Sequence, residues 1–327
     1  MLFRKHWVYI YGGRKMNILI TGVAGFIGSN LAARFLKEGH TVFGIDNFIT
    51  GQKLNVDRLC KMKGFDFIEH DATNPIKIND SIDWIMHFAS PASPPKYLKF
   101  PIETLRVNSE GTFNLLNLAM EKNAKFFLAS TSEVYGDALV HPQPETYWGN
   151  VNPNGERSVY DEAKRYAEAI TFGMHRKYNI PIRVIRIFNT YGPYMDINDG
   201  RVVTNFLGQV IRKEPITVYG DGSQTRSFQY IDDLVEGIIR LMSVEYYKPV
   251  NLGNPEEFTI MELVNVIKEL TKNESTIVYR DLPQDDPQQR KPDISCASNI
   301  LKWKPKIMLK DGISSTFEHF IEISKKR

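Results

Sequence analysis

A chain of 327 residues is too long for one minimal core and short for three domains, so it reads as one large or two fused domains. A net charge of +3 excludes the broad basic face of a nucleic-acid binder, while 42% apolar and 24% charged residues are ordinary for a soluble globular protein. Two cysteines, Cys60 and Cys296, without CxxC or HExxH spacing, offer neither a disulfide framework nor a metal site and suit a reducing cytoplasm.

The chain opens on MLFRKHWVYIYGGRK, residues 1–15. Its apolar patch WVYIY is too short for a signal segment, so these residues read as an extension outside the fold, or as the product of an upstream start with Met16 the true beginning. No apolar run approaches the roughly 18–20 residues that span a bilayer, so no membrane partner is expected.

From Met16 strand-like and helix-like segments alternate. NILITG (Asn17 to Gly22) is a short apolar run, and Gly25 to Glu38 carries helical spacing through Phe26, Ile27, Leu31 and Phe35. TVFGID (Thr41 to Asp46), FDFIEHD (Phe65 to Asp71) and IDWIMHFA (Ile82 to Ala89) follow as strands, then a helix around Pro101 to Lys122. AKFFLAST (Ala124 to Thr131), a helix around Val159 to Tyr178, and IRVIRIFN (Ile182 to Asn189) complete the alternation. Such a series implies an α/β fold, a Rossmann-type doubly wound parallel sheet with helices on both faces. After Asn189 the texture changes: Tyr191 to Gly200 and Val218 to Thr225 read as loops between helices near Val202 to Arg212, Ile231 to Met242 and Thr259 to Leu270. The expected division is 16–190 for the sheet domain, with a returning segment near 226–253, and 191–327 for a smaller C-terminal lobe.

TGVAGFIG places Gly22, Gly25 and Gly28 at a strand-to-helix junction. Gly22 allows the tight turn, Gly25 the approach of a pyrophosphate, and Gly28 close packing of helix on strand, with helix amides facing the anion. Asp46 ends the next strand, where a carboxylate accepts from a ribose hydroxyl and repels a 2′-phosphate; NAD is therefore favoured over NADP. Asp71 ends the third strand, either reaching the adenine or capping its loop. In VYDEAKRYAEA, Tyr160 and Lys164 lie four apart and face one way on a helix. A free tyrosine has a pKa of about 10; a neighbouring ammonium and an oxidised nicotinamide would favour the phenolate and make it a general base for an alcohol. At the end of the preceding strand, Thr131 or Ser132 could hydrogen-bond the reacting hydroxyl, and Glu133 adds a carboxylate where a sugar ring would sit.

These motifs resemble the extended short-chain dehydrogenase/reductases. FASPASPP (Phe88 to Pro95), ASTSEVYGD (Ala129 to Asp137), RIFNTYGP (Arg186 to Pro193), NDGRVVTNF (Asn198 to Phe206), TVYGDGSQTRSFQY (Thr217 to Tyr230) and DDPQQRKPDI (Asp285 to Ile294) look like the UDP-glucuronate decarboxylases within that family. The resemblance runs from about Met16 to the last helix. It implies decarboxylation of UDP-glucuronate to UDP-xylose through a 4-keto sugar, with NAD tightly bound and not consumed. It implies catalytic roles for Tyr160, Lys164, Thr131, Ser132, Glu133 and Arg226. Cofactor contacts are implied at Gly22, Gly25, Phe26, Ile27, Gly28, Asp46, Asn47, Asp71 and Ala89, together with Tyr160 and Lys164. Substrate contacts are implied at Arg106, Asn189, Arg201, Val203, Tyr219, Gln224, Arg226 and Arg290. Nucleotide-sugar 4,6-dehydratases carry Asp–Glu after the threonine, where this chain has Ser132–Glu133; a 4-epimerase or dehydratase is the alternative, and a silent NAD-binding protein a remote one. The chain departs from the familiar YDEGKR form at Ala163. The resemblance further implies a homodimer paired through the helix that bears Tyr160; Golgi members of the family carry a transmembrane anchor and stem, and the short leader here favours a cytoplasmic enzyme instead.

Overall fold

The computed structural model describes residues 14–281 and 289–325. Residues 1–13 of the expected extension and 285–288 of the Asp285–Ile294 block lie outside the described residues; Arg14 is described and pairs with Asp83 at 2.9 Å.

The strands, in chain order, are β1 (Asn17–Thr21), β2 (Thr41–Asp46), β3 (Phe65–Glu69), β4 (Trp84–His87), β5 (Lys125–Thr131), β6 (Ile182–Ile187), β7 (Thr190–Tyr191), β8 (Ile216–Tyr219), β9 (Thr225–Ser227), β10 (Gln229–Tyr230), β11 (Pro249–Leu252), β12 (Glu257–Thr259) and β13 (Ile277–Arg280). Seven of them form one sheet in the order β11-β6-β5-β4-β1-β2-β3. Every pairing in it is parallel. Between them run α1 (Phe26–Lys37), α2 (Lys53–Leu59), α3 (Pro94–Lys99) and α4 (Pro101–Arg106). Then come α5 (Thr112–Lys122), α6 (Ser158–Tyr178), α7 (Val202–Arg212), α8 (Ile231–Met242), α9 (Ile260–Thr271), α10 (Ser295–Leu301) and α11 (Leu309–Ser324).

Successive strand residues serve opposite faces. Ile18 and Ile20 pack with Leu31, Phe35, Leu234 and Ile238, whereas Leu19, between them, belongs to the cluster of Leu115, Ala119 and Ala167. Both faces are covered, which is why β1, β4 and β5 read as continuous apolar runs instead of alternating ones. This sheet brings the C-terminal ends of β1, β4 and β5 side by side, and the residues following them meet above the sheet edge.

Two details differ from the sequence reading. The helix expected from Pro101 to Lys122 contains a π-helical turn, Val107–Gly111, between α4 and α5. The segment Val218 to Thr225, expected as loop, holds the end of β8 and the start of β9, joined through Gly220 and Gly222 at positive φ. Strands β8 and β9 pair with β13 and β12 in two small sheets. Strands of three or four residues carry too little periodicity to stand out from a turn.

Candidate active site

The first turn after β1 is built around backbone closeness. Gly22 has φ 75°, and a Cβ there would stand 2.6 Å from the Phe88 carbonyl carbon. A Cβ on Gly28 would stand 2.3 Å from the Gly22 carbonyl oxygen, so the start of α1 lies directly on the turn. Gly25 is the N-cap of α1 and contributes no side-chain cap, leaving the first-turn amides to an anion. Gly22, Gly25, Phe26, Ile27 and Gly28 line one cavity of about 710 Å³. An adjoining smaller cavity shares Gly22 and Gly25 and is lined by Asp46, Asn47, Asp71 and Ala89. Asp46 is buried and accepts from the Ala24 and Phe48 amides at 3.0 and 2.8 Å; burial raises its pKa. Asp71 caps its own loop, its Oδ1 accepting from the Thr73 amide at 2.9 Å and hydroxyl at 2.8 Å. These are the shapes and donors a dinucleotide requires: a side-chain-free turn, exposed helix amides, and a carboxylate at the end of the second strand.

Beside the turn, α6 carries Tyr160 and Lys164 into the larger cavity. Both are buried. Lys164 Nζ donates to the Ala129 carbonyl at 2.9 Å and sits 5.9 Å from the Tyr160 ring centre. Burial lowers the Lys164 pKa to about 7, against the pull of Glu168. The expectation is that Lys164 and a bound oxidised nicotinamide together favour the phenolate, and the protein's own groups do not do so unaided. In this structure burial raises the Tyr160 pKa above its ordinary value, and the Thr131 hydroxyl beside it only partly offsets that. The lysine's charge is itself weakened by the same dry surroundings that hold the phenol neutral.

Thr131 ends β5 and accepts the Glu133 amide at 3.2 Å, which starts the short turn Ser132–Tyr135 and turns Glu133 toward the cavity. The Glu133 carboxylate is held by Arg157 and Arg290. Burial alone would raise its pKa, but the two guanidiniums outweigh burial and take it well below the usual carboxylate range. Asp161, one residue after Tyr160, is the counterpart: burial and the nearby Glu133 charge raise it to about 7.

The same cavity gathers Ser132, Asn189, Arg201, Val203, Tyr219, Gln224, Arg226 and Arg290. Arg201 pairs with Asp199 at 2.6 Å, and Arg226 donates to the Thr225 carbonyl at 2.8 Å. Arg106, expected at the substrate, is not among the residues that line this cavity. It leaves the last turn of α4 on the side where β2 and β3 end, lines the smaller cavity beside Asp46 and Asp71, and pairs with Glu110 at 2.7 Å. Two residues that line the cavity, and a third that braces the strands beneath it, escaped the sequence reading. Tyr97 stacks on Tyr160 with ring centres 5.2 Å apart and planes within 4°. Arg157 pairs with Glu133, and its place one turn ahead of Tyr160 was the available signal. His87, buried at the end of β4, meets Thr21 Oγ1 at 2.8 Å and the Val107 carbonyl at 3.2 Å. Burial and the Lys164 charge depress it to about 3, so it is a neutral strut between β1 and the π-helical turn.

An all-parallel sheet with a glycine turn on its first strand defines the Rossmann class of dinucleotide enzymes, and comparison with known proteins narrows that class. A family model described as GDP-mannose 4,6 dehydratase matches residues 19–316. UDP-glucuronic acid decarboxylase 2 of Arabidopsis thaliana is 52% identical over 305 residues, 93% of this chain and 68% of the relative. UDP-glucuronic acid decarboxylase 1 of Danio rerio is 50% identical over 306 residues, 94% of this chain and 73% of the relative. The crystal structure of UDP-glucuronic acid 4-epimerase from Bacillus cereus, in complex with UDP-glucuronic acid and NAD, matches with a TM-score of 0.85 at 28% identity over 94% of this chain and 100% of that one. The chain belongs to this extended short-chain dehydrogenase/reductase family, in the branch of the UDP-glucuronic acid decarboxylases.

Proposed function

We propose that the chain converts UDP-glucuronate to UDP-xylose and carbon dioxide, using NAD that is returned to its starting state in each turnover. The observation that carries this reading is identity of about half to UDP-glucuronic acid decarboxylases over more than nine-tenths of the chain, with Thr131, Ser132, Glu133, Tyr160 and Lys164 lining one cavity.

NAD, when bound, supplies the hydride acceptor for C4 of the sugar and the positive charge that, with Lys164, favours the Tyr160 phenolate. The glycine turn, Asp46 and Lys164 are the residues that would hold it. Tyr160 Oη takes the proton of the C4 hydroxyl, steadied by the Thr131 hydroxyl. Once C4 is a ketone, the carboxylate on C5 is β to a carbonyl, and carbon dioxide leaves with its electrons accepted as an enolate. Glu133, fixed between two guanidiniums, orients the ring and governs protons near C5; Arg226 stabilises the carboxylate and then the enolate. Protonation at C5 and return of hydride to C4 complete the pentose. Ser132 offers no carboxylic acid to a departing C6 hydroxyl, which supports decarboxylation over dehydration.

Residues 191–327 are proposed to supply most of the UDP-sugar contacts. Helices α4, α5 and α6 expose Ile102, Leu105, Phe113, Met120 and Tyr166, a surface suited to a second copy of the chain, so a homodimer is proposed. Sedimentation would return twice the chain mass if so. Among the described residues no helix is long and apolar enough to cross a membrane. Two unpaired cysteines suit a reducing compartment, and the cytoplasm is the proposed location.

The deciding experiment is a proton NMR time course with UDP-glucuronate and catalytic NAD. UDP-xylose without lasting reduced cofactor supports the proposal. Turnover of dTDP-glucose or UDP-galactose in place of UDP-glucuronate would overturn it.

A further inference from the structure

One contact spans the cavity and is used by none of the steps above. Lys96, on α3, places Nζ 3.1 Å from Asp196 Oδ2, 3.9 Å from Asp199 Oδ1 and 3.5 Å from the Thr50 carbonyl. Thr50 follows β2, Lys96 follows β4, and β1 lies between those two strands in the sheet. A contact joining Thr50 to Lys96 therefore passes over the end of β1, above the Gly22–Gly25 turn. Asp196 and Asp199 come from the segment after β7, so the contact also ties the later part of the chain to the first half.

That segment is fastened along its length. The Pro193 carbonyl accepts from Asn30 at 3.1 Å, and the Tyr194 carbonyl from Asn55 at 3.2 Å. The Arg58 guanidinium lies 3.4 Å from the centre of the Tyr194 ring. At its far end Gly200 presses on α3, where a Cβ would stand 2.6 Å from Pro95 Cγ. The side chains of Lys96, Asp196 and Asp199 are 21%, 25% and 9% exposed, so one ammonium faces two carboxylates in a partly sheltered site. Such a site retains more of its Coulomb attraction than a fully exposed pair.

We propose that Lys96, acting through Asp196, is a positioning residue whose strap over the glycine turn sets how fast the dinucleotide leaves. This rests on the function proposed above, because a cofactor that must return its hydride has to stay through the whole turnover. If it left reduced, the balance would be one UDP-glucuronate and one NAD⁺ giving one UDP-4-keto-pentose, one carbon dioxide and one NADH.

The test is release of prebound NADH into excess NAD⁺, followed by reduced-nicotinamide fluorescence without any sugar nucleotide, so a negative result bears on the strap alone. Lys96→Met keeps the aliphatic stem and removes the charge; Asp196→Asn keeps the shape. Each is expected to speed release about five- to tenfold, the double variant no more than either single one, and added salt to speed only the wild type. With UDP-glucuronate, both variants should leak keto-pentose and NADH in equal amounts. Unchanged release in Lys96→Met overturns the proposal. So does slower release in Asp196→Asn, which would mean that Lys96 grips the pyrophosphate itself.

Discussion

Arg290 and Glu133 stand 157 positions apart in the chain and share an ion pair at the cavity wall. Arg157 holds the other oxygen of the same carboxylate. Glu133→Gln would leave two sheltered guanidiniums without their counter-charge. We expect a loss of about 3 kcal/mol in denaturant unfolding and at least a ~100-fold fall in turnover. The folded-state pKa of Glu133 lies below its ordinary value of 4.5, so its contribution is present above that pH and is lost as pH falls toward about 2. Wild-type stability in Glu133→Gln would show the pairs to be ornamental.

Tyr160→Phe removes the phenolic oxygen and preserves the stack on Tyr97. The variant should bind NAD and UDP-glucuronate with near-normal affinity and lose about 10²–10⁴-fold in the first hydride transfer, read in single turnovers by reduced-nicotinamide absorbance. Because burial raises the Tyr160 pKa, ultraviolet titration of the cofactor-free protein should find no phenolate at Tyr160 near neutral pH. A phenolate signal there that vanishes in Tyr160→Phe would refute the burial argument.

Lys164 and Asp161 pull the pH dependence of stability in opposite directions. The folded Lys164 gives up its proton near pH 7 and the unfolded one near its ordinary value of 10.5, so the unfolded state binds more protons between them and stability rises with pH across that window. The folded Asp161 keeps its proton to about pH 7 against 3.8 when unfolded, so stability falls as pH rises toward 7. Each slope approaches about 1.4 kcal/mol per pH unit at most. Unfolding curves of the cofactor-free protein should flatten above pH 7 in Lys164→Met and below pH 7 in Asp161→Asn. A variant that keeps its wild-type limb would exclude that residue as the source.

Gly28→Ala places a methyl 2.3 Å from the Gly22 carbonyl oxygen, with backbone on both sides and no flexible side chain to give way. Helix α1 must then lift from the turn. Calorimetric NAD affinity should fall by at least tenfold and the melting temperature by several degrees, whereas Gly39→Ala meets nothing within 4 Å and tests positive φ alone.

Much of the sheet was legible because local chemistry repeats along it. The runs ending at Thr21, Asp46 and Thr131 are apolar on both faces and become β1, β2 and β5. Helix α6 was legible from VYDEAKRYAEA because residues four apart share a face whatever the surroundings. Helix α3, six residues long between Ser93 and Phe100, was not: six residues that open on two prolines carry too little helical spacing to stand out, and they include both Tyr97 and Lys96. The cavity that Arg106 lines was not legible either. The helical pattern gave its face, but the cavity it lines depends on how α4 packs against α6 and the π-helical turn.

The sequence by itself determined the glycine cradle, the carboxylate that ends β2 and the Tyr160–Lys164 pair. Each depends on spacing within one turn or one strand–turn–helix unit, and the backbone sets that spacing. Only the tertiary structure decided that Glu133 lies between Arg157 and Arg290, that Tyr97 covers Tyr160, and that Lys96 reaches Asp196. Those contacts join elements far apart in the chain. The electrostatics follow the same division: a sequence names the charges, but burial sets their strength, and here it raises the tyrosine and lowers the lysine that was expected to activate it.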